Sequence, residues 1–181
     1  MKEYDLNFYF DDNLQEVATN PGDMERYVHE QKIALSTAQN PLDRVKILGE
    51  IGVYLRILRQ LSEAQDYLLK SLEIIARHQM ELHLKVGQQI RLAHVYQWQG
   101  QFELSNSMFE ELLRLSKTTD LGYLHDFIWQ HAGKNHFDQL NWKKAHDCFQ
   151  KALKLRELRK APAEQIESSL QSIRATLQRM N

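Results

Sequence analysis

WQHAGKNHFDQLNWKKAHDCFQKAL forms residues 129–153, and its arrangement of small and large apolar residues occurs three times in the chain. The small residue Gly133 corresponds to Ala93 and then to Gly52, at successive distances of 40 and 41 residues. A constant period of this size is typical of stacked helical repeats rather than of one globular core. We therefore predict an array of helix pairs.

The second half of each copy repeats the same residue types. A small residue is followed four positions later by a large apolar one and then by a pair that ends in Leu; these are Ala64, Leu68 and Ser71-Leu72, then Ser105, Phe109 and Leu112-Leu113, then Ala145, Phe149 and Ala152-Leu153. Small side chains allow two helix axes to approach closely. We predict that Gly52, Ala93 and Gly133 pack against Ala64, Ser105 and Ala145, respectively.

Local signals indicate where the helices begin. Asn20-Pro21 and Asn40-Pro41 each combine a capping amide with a proline that suits the first helical turn. Ser62 and Gln65 form a capping-box pattern. The chain has only seven Gly and three Pro, and its many Leu, Glu, Lys, Arg and Gln residues are strong helix formers. We predict helices over about residues 21–38, 41–59, 62–78, 81–99, 102–117, 120–138, 142–158 and 162–179.

This pattern resembles the tetratricopeptide repeat (TPR). The third copy matches the family at Trp129, Gly133, Ala145, Phe149 and Ala152-Leu153. The resemblance covers about residues 45–158, and units of 40 or 41 residues resemble the long-helix variety found in kinesin light chains and in bacterial peptide-responsive regulators. It implies an all-α fold: a right-handed superhelical TPR-like solenoid of antiparallel helix pairs with terminal capping helices.

We predict three segments along the chain. Residues 1–40 form an N-terminal capping segment and helix, residues 41–160 form three TPR-like helical hairpins, and residues 161–181 form a C-terminal capping helix. The first segment contains an apolar cluster, Leu6, Phe8, Tyr9, Phe10 and Leu14, beside several acids. This cluster either caps the exposed face of the first repeat, as solenoids require, or docks into a groove or a dimer interface.

The distribution of charge leaves two interpretations open. The formal net charge is −1, but residues 1–40 carry −5 and residues 134–181 carry +5. Solvated helix faces explain such runs; alternatively, the two ends attract a charged partner or another copy of the chain, so a homo-oligomer is possible. The chain as a whole is not basic, and nucleic acid is not an expected partner.

Composition also bounds the compartment. Cys148 is the only cysteine, which rules out an intramolecular disulfide and a thiolate-rich metal site. The N-terminal sequence lacks the apolar stretch of a signal peptide, and no apolar run is long enough to cross a membrane. We expect a cytoplasmic protein with no membrane partner.

The TPR resemblance implies a concave binding groove lined by the first helix of each repeat. The residues carried over to this groove mix cations, amides and aromatic rings, which suits a bound peptide; they are Lys46, Arg56, Ile90, Arg91, His94, Gln97, Phe127, Gln130, His131, Lys134 and Phe137. Chaperone-binding members of the family hold a peptide's terminal carboxylate with Lys, Asn and Arg. Because the matching positions here hold Gly49, Val53, Arg91, Phe127 and His131, chaperone tails are not expected partners.

The sequence gives little support for catalysis. Its eight histidines do not combine with other ligands at the spacing that a metal site needs, and it has no phosphate-binding glycine loop or nucleophile elbow. We predict that the chain is not an enzyme and has no cofactor. The function predicted is a protein- or peptide-binding scaffold; the alternative is a peptide-responsive regulatory sensor that acts through a partner protein, and a remote alternative is an enzyme or a metal-binding protein.

Overall fold

The computed structural model describes residues 3–180. This part of the chain contains one two-stranded antiparallel sheet and eight helices: β1 Phe8–Phe10, β2 Glu16–Ala18, α1 Pro21–Thr37, α2 Pro41–Ile57, α3 Leu61–Arg77, α4 Leu82–Trp98, α5 Phe102–Leu115, α6 Leu124–Asp138, α7 Trp142–Leu158 and α8 Ala163–Met180. The all-α class is confirmed. None of the helices in residues 3–180 combines the length and the hydrophobicity that crossing a membrane requires.

The chain divides into two compact units. The first contains the described residues up to Asp11 together with Gln15–Gln99, and the second contains Asp12–Leu14 and the chain from Gly100 onwards. In the first unit each helix packs against the next from α1 to α4, α2 also contacts α4, and β2 contacts α2. In the second unit α6 and α7 form the most extensive helix pair, with α5 and α8 packed beside them.

The predicted helix positions agree with the structure to within a few residues, and two of the predicted caps are confirmed. The side chain of Asn20 accepts from the amide of Asp23, and that of Asn40 accepts from the amides of Leu42 and Asp43. The capping box predicted at Ser62 is wrong. Helix α3 already begins at Leu61, so Ser62 lies inside the helix.

The predicted joints between small residues are also wrong in detail. A Cβ built on Gly52 would lie 2.6 Å from Cγ of Leu68, and one built on Gly133 would lie 2.5 Å from Cε1 of Phe149. The side chains nearest to these glycines are therefore the large residues, not Ala64 and Ala145. Both glycines are buried, because the missing side chain leaves the space that a large neighbour fills.

The N-terminal apolar segment forms a β-hairpin, which the sequence analysis did not predict. Its residues pair as Phe8 with Ala18, Tyr9 with Val17 and Phe10 with Glu16. The connecting turn belongs to the second unit. Its residue Leu14 has a left-handed backbone (φ 60°) and is buried in a core cluster that also contains Phe137, Ala145, Phe149 and Ile173.

Candidate functional site

The predicted groove residues lie on first helices of the repeats, six of them on α2 and α4 of the first unit and five on α6 of the second. Lys46 is exposed, and Arg91, Phe127 and His131 are partly exposed. The other seven are buried: Arg56, Ile90, His94, Gln97, Gln130, Lys134 and Phe137. Their role in binding stays a prediction.

In the first unit, the α2 and α4 residues surround a carboxylate of the chain itself. Glu16 on β2 accepts a hydrogen bond of 2.8 Å from Nη1 of Arg56. Both side chains are almost completely buried, with 5% of each residue exposed. The same carboxylate oxygen lies 3.9 Å from Nε2 of His94. Two predicted groove residues, Arg56 and His94, therefore meet at a bound acidic side chain.

An aromatic ring supports this ion pair. The guanidinium carbons of Arg56 and Arg59 lie 4.4 Å and 4.0 Å from the centre of the Trp98 ring, at distances that allow cation–π attraction. The ring of His94 meets Trp98 edge to face at 5.4 Å. Arg59 also donates a hydrogen bond of 2.7 Å to Oε1 of Gln15. We call Arg56, Arg59, His94 and Trp98 the arginine pocket.

The local sequence explains how these groups come together. Arg56 and Arg59 lie at and just after the end of α2, where the helix dipole favours cations; Trp98 is the last residue of α4. Glu16 is two positions from Leu14, and both side chains are buried, as the period of an extended segment dictates.

Sequence reasoning missed Gln15, Glu16 and Arg59. A possible signal was the alternation of Leu14, Glu16 and Ala18, but three residues are too few to distinguish a strand from a loop. A buried acid also needs a partner, and nothing in the sequence alone identified Arg56 as that partner.

In the second unit, the groove residue Gln130 belongs to a buried polar network. Its amide donates 2.9 Å to the hydroxyl of Ser172, and its carbonyl accepts 2.7 Å from the hydroxyl of Ser169. The same network includes Arg156, which donates 2.9 Å from Nε to Asp126. Burial lowers the pKa of Arg156, while the hydrogen bond and the charge of Asp126 act in the opposite direction.

The remaining α6 groove residues are mostly aromatic or packed. Phe127 stacks on the ring of His131 at 6.3 Å and lies 5.5 Å from the guanidinium of Arg156. Tyr123, which is exposed, meets Phe127 edge to face. Phe137 packs against Trp142 at 4.9 Å, so it belongs to the core rather than to an open surface.

Groups suited to metal binding or to nucleophilic chemistry do not assemble in the described part of the chain. No cluster of three or more His, Cys, Asp or Glu residues within residues 3–180 could hold a metal ion. The Cys148 thiol is buried, and this burial raises its pKa to about 12. A thiol with that pKa is almost entirely protonated near neutral pH and therefore a poor nucleophile, as its position next to Phe149 predicts.

Comparisons with known proteins identify the fold. No protein-family model and no curated protein sequence matches the chain. Solved structures do match, each over 88% of this chain: BtubC (BKLC) from P. vanneervenii at 15% identity, 67% of its own length and a TM-score of 0.66, and two structures, one of them of a substituted variant, of a Podosopora anserina protein described as a putative kinesin light chain with nearly identical TPR-like repeats, at 15% and 14% identity, 80% and 79% of their lengths and TM-scores of 0.62 and 0.64. The chain therefore has the fold of the TPR-like repeat proteins.

Proposed function

We propose that this protein is an interaction scaffold that binds an extended peptide segment of a partner protein on the first helices of its repeats. TPR-like repeats generally mediate protein–protein contacts. The observation that carries the proposal is the seating of the chain's own N-terminal strand β2 on α2, where Arg56 binds the carboxylate of Glu16. A surface that already holds an extended segment has the chemistry to hold another.

The proposed binding surface has a part in each unit. In the first unit it consists of the cationic and amide side chains on α2 and α4, including Lys46, Arg56, Arg91, His94 and Gln97, with Ile90 as an apolar contact. In the second it consists of Phe127 and His131, whose stacked rings are partly exposed; Gln130, Lys134 and Phe137 support them from inside the fold.

The peptide-responsive sensor remains the second candidate, and one observation favours it. The segment that lies on the α2 face is tethered to the same chain, so a competing peptide would change the state of the N-terminal hairpin. A partner protein could read that change, because exchange of one bound segment for another alters which residues are exposed.

A peptide-library selection against the immobilised full chain tests the scaffold. We expect selected peptides to protect backbone amides of α2, α4 or α6 from hydrogen exchange. Arg91→Glu should weaken peptides that map to the first unit, and His131→Asp those that map to the second, each by about tenfold or about 1.4 kcal/mol. Arg114→Glu changes an exposed residue of α5 and serves as the matched control.

Failure of the selection to yield any binder would contradict the scaffold proposal. So would binders that protect only α3, α5 or α7, because those are second helices of the repeats and carry none of the proposed residues.

A further inference from the structure

We infer that the arginine pocket is a carboxylate-binding site, that Glu16 occupies it as an internal substitute, and that the partner of this scaffold inserts a glutamate or aspartate of an extended segment in its place. The inference rests on the proposed function and names the chemistry of the partner. It also assigns the N-terminal hairpin the role of a competitor that the partner must displace.

The charges in the pocket require an anion. Two guanidinium groups, of Arg56 and Arg59, lie on one Trp98 ring, and the carboxylate of Glu16 accepts from the more deeply buried of the two. Removing that carboxylate without replacement would leave the charge of Arg56 buried and uncompensated, which is strongly unfavourable. A ligand without a carboxylate cannot take the place of Glu16 at equal free energy, so the site selects for acidic segments.

This pocket differs from the carboxylate clamp known in chaperone-binding TPR proteins. In the first unit, the positions that match that clamp hold Gly49, Val53 and Arg91. The carboxylate of Glu16 is instead held near the ends of α2 and α4, where Arg56 donates to it and His94 lies beside it. The occupant is also a side-chain carboxylate within a strand, so the pocket does not require a chain terminus.

The hairpin is suited to be an exchangeable occupant. Its two strands have three residues each, and a two-stranded hairpin of this size is not stable on its own in water. Phe8 and Tyr9 of β1 are 44% and 58% exposed, so the outer strand contributes little burial to docking. The hairpin is therefore held mainly by what β2 contributes, and the buried ion pair of Glu16 joins β2 to α2.

The sequence around Glu16 describes the segment that fits. Gln15 precedes the acid and carries no charge, while its side-chain oxygen accepts from Arg59. Val17 and Ala18 follow, both partly buried. A partner segment should thus present an acidic side chain, a polar hydrogen-bond acceptor before it and small or branched apolar residues after it, in an extended conformation.

Two synthetic peptides test the inference. The first is DNLQEVAT, residues 12–19 of this chain, acetylated and amidated so that it has no terminal charge; the second is identical except for Gln in place of the Glu. Their affinities are measured by fluorescence anisotropy for the full-length wild type, the Glu16→Gln variant and the Glu16→Gln/Arg56→Gln variant. Glu25→Gln, at an exposed acid of α1, is the matched control protein.

We expect the Glu peptide to bind Glu16→Gln at least about tenfold more tightly than it binds the wild type or the control, because the internal competitor is weakened. The same protein should bind the Gln peptide at least about tenfold more weakly, and the added Arg56→Gln change should remove the preference. Equal affinity of the two peptides for Glu16→Gln would overturn the carboxylate assignment. Equal affinity of the Glu peptide for the wild type and Glu16→Gln would overturn the role of the hairpin.

A measurement on the unmodified chain does not depend on the folding of any variant. At saturating Glu peptide, the amides of residues 8–10 and 16–18 of the wild type should exchange their hydrogens faster than in the free protein, and unchanged exchange would overturn the displacement. Concentration-dependent dimers of the wild type that disappear in Glu16→Gln would instead identify the occupant as a second copy of this chain. The scaffold fails separately, since library peptides that bind α2 and α4 without a carboxylate preference would leave it standing and refute only this inference.

Discussion

Each unit of the molecule contains one buried arginine that binds a buried carboxylate, but the two sites are built differently. Arg156 in the second unit binds Asp126, the hydroxyl of Ser169 and the backbone carbonyl of Gln165, and all of these belong to long helices. Arg56 in the first unit binds Glu16, which belongs to a three-residue strand.

The difference separates a structural network from an exchangeable contact. Asp126 also accepts from Arg159, so its removal leaves two cations inside a helical core that has no alternative arrangement. Glu16 can leave its site together with the hairpin, and water can then hydrate Arg56. A buried ion pair therefore stabilises the fold only as much as the carrier of its carboxylate is fixed.

Asp126→Asn should produce the largest loss of stability. The substitution keeps the shape of the side chain but removes the negative charge between Arg156 and Arg159, and breaking a buried pair typically costs about 3–5 kcal/mol. Urea unfolding followed by circular dichroism measures the loss. Asp147→Asn, where 70% of the side chain is exposed, is the control and should change stability by less than about 0.5 kcal/mol. A loss no larger than that of Glu16→Gln would remove the contrast between the units.

Gly133→Ala should have the second largest effect and compares the helix joints of the two units. The new Cβ would lie 2.5 Å from the ring of Phe149, which is fully buried, and overpacking of this kind costs about 1–3 kcal/mol. The joint of the first unit should lose less in Gly52→Ala, because the Leu68 side chain can change its rotamer more readily than a packed ring.

Two further variants test that explanation. Adding Phe149→Leu to Gly133→Ala should recover part of the stability, since a smaller side chain leaves room for the methyl group. Gly87→Ala places a methyl group with nothing within 4 Å and should stabilise its helix by up to about 1 kcal/mol. Equal losses at Gly133 and Gly87 would show that helix propensity, not packing, determines the result.

Glu16→Gln should destabilise the chain by only about 1–2 kcal/mol, the range for losing a hydrogen bond to a charged group. The loss stays below that of Asp126→Asn because release of the hairpin exposes Arg56 to water. The same urea titration measures it, and Trp98 fluorescence reports the local change, since both guanidinium groups lie on that ring. A loss above about 3 kcal/mol would indicate that the hairpin is an integral part of the fold.

The helical architecture was predictable because its signals are local and repeated. Asn40-Pro41 places a cap wherever the chain goes, and the spacing of Gly52, Ala93 and Gly133 survives the low information in any one position. The hairpin was not predictable, because Phe8–Phe10 and Glu16–Ala18 are too short to show a period and their pairing depends on α2.

The predicted site was limited for the same reason. The repeat register placed Arg56 and His94 on the binding face, but only tertiary structure shows that Glu16 lies between them. The register could also not distinguish a groove residue from a core residue, so Phe137 and Gln130 were predicted as surface positions and are buried by neighbours within their own unit.

Leu140→Gly should have the smallest effect and the opposite sign. The turns that follow α2, α4 and α6 each contain one residue with a left-handed backbone: Arg59 (φ 65°), Gly100 (φ 73°) and Leu140 (φ 59°), at the same spacings of 41 and 40 residues. Only the middle turn has the residue suited to that backbone, because a Cβ is strained there. Leu140 is 69% exposed, so its replacement sacrifices little burial, and Leu140→Gly should stabilise the second unit by about 0.5–1 kcal/mol. Leu140→Ala removes the same apolar surface but keeps the Cβ, so it should not stabilise; an equal gain in both variants would attribute the effect to the exposed side chain instead of the backbone.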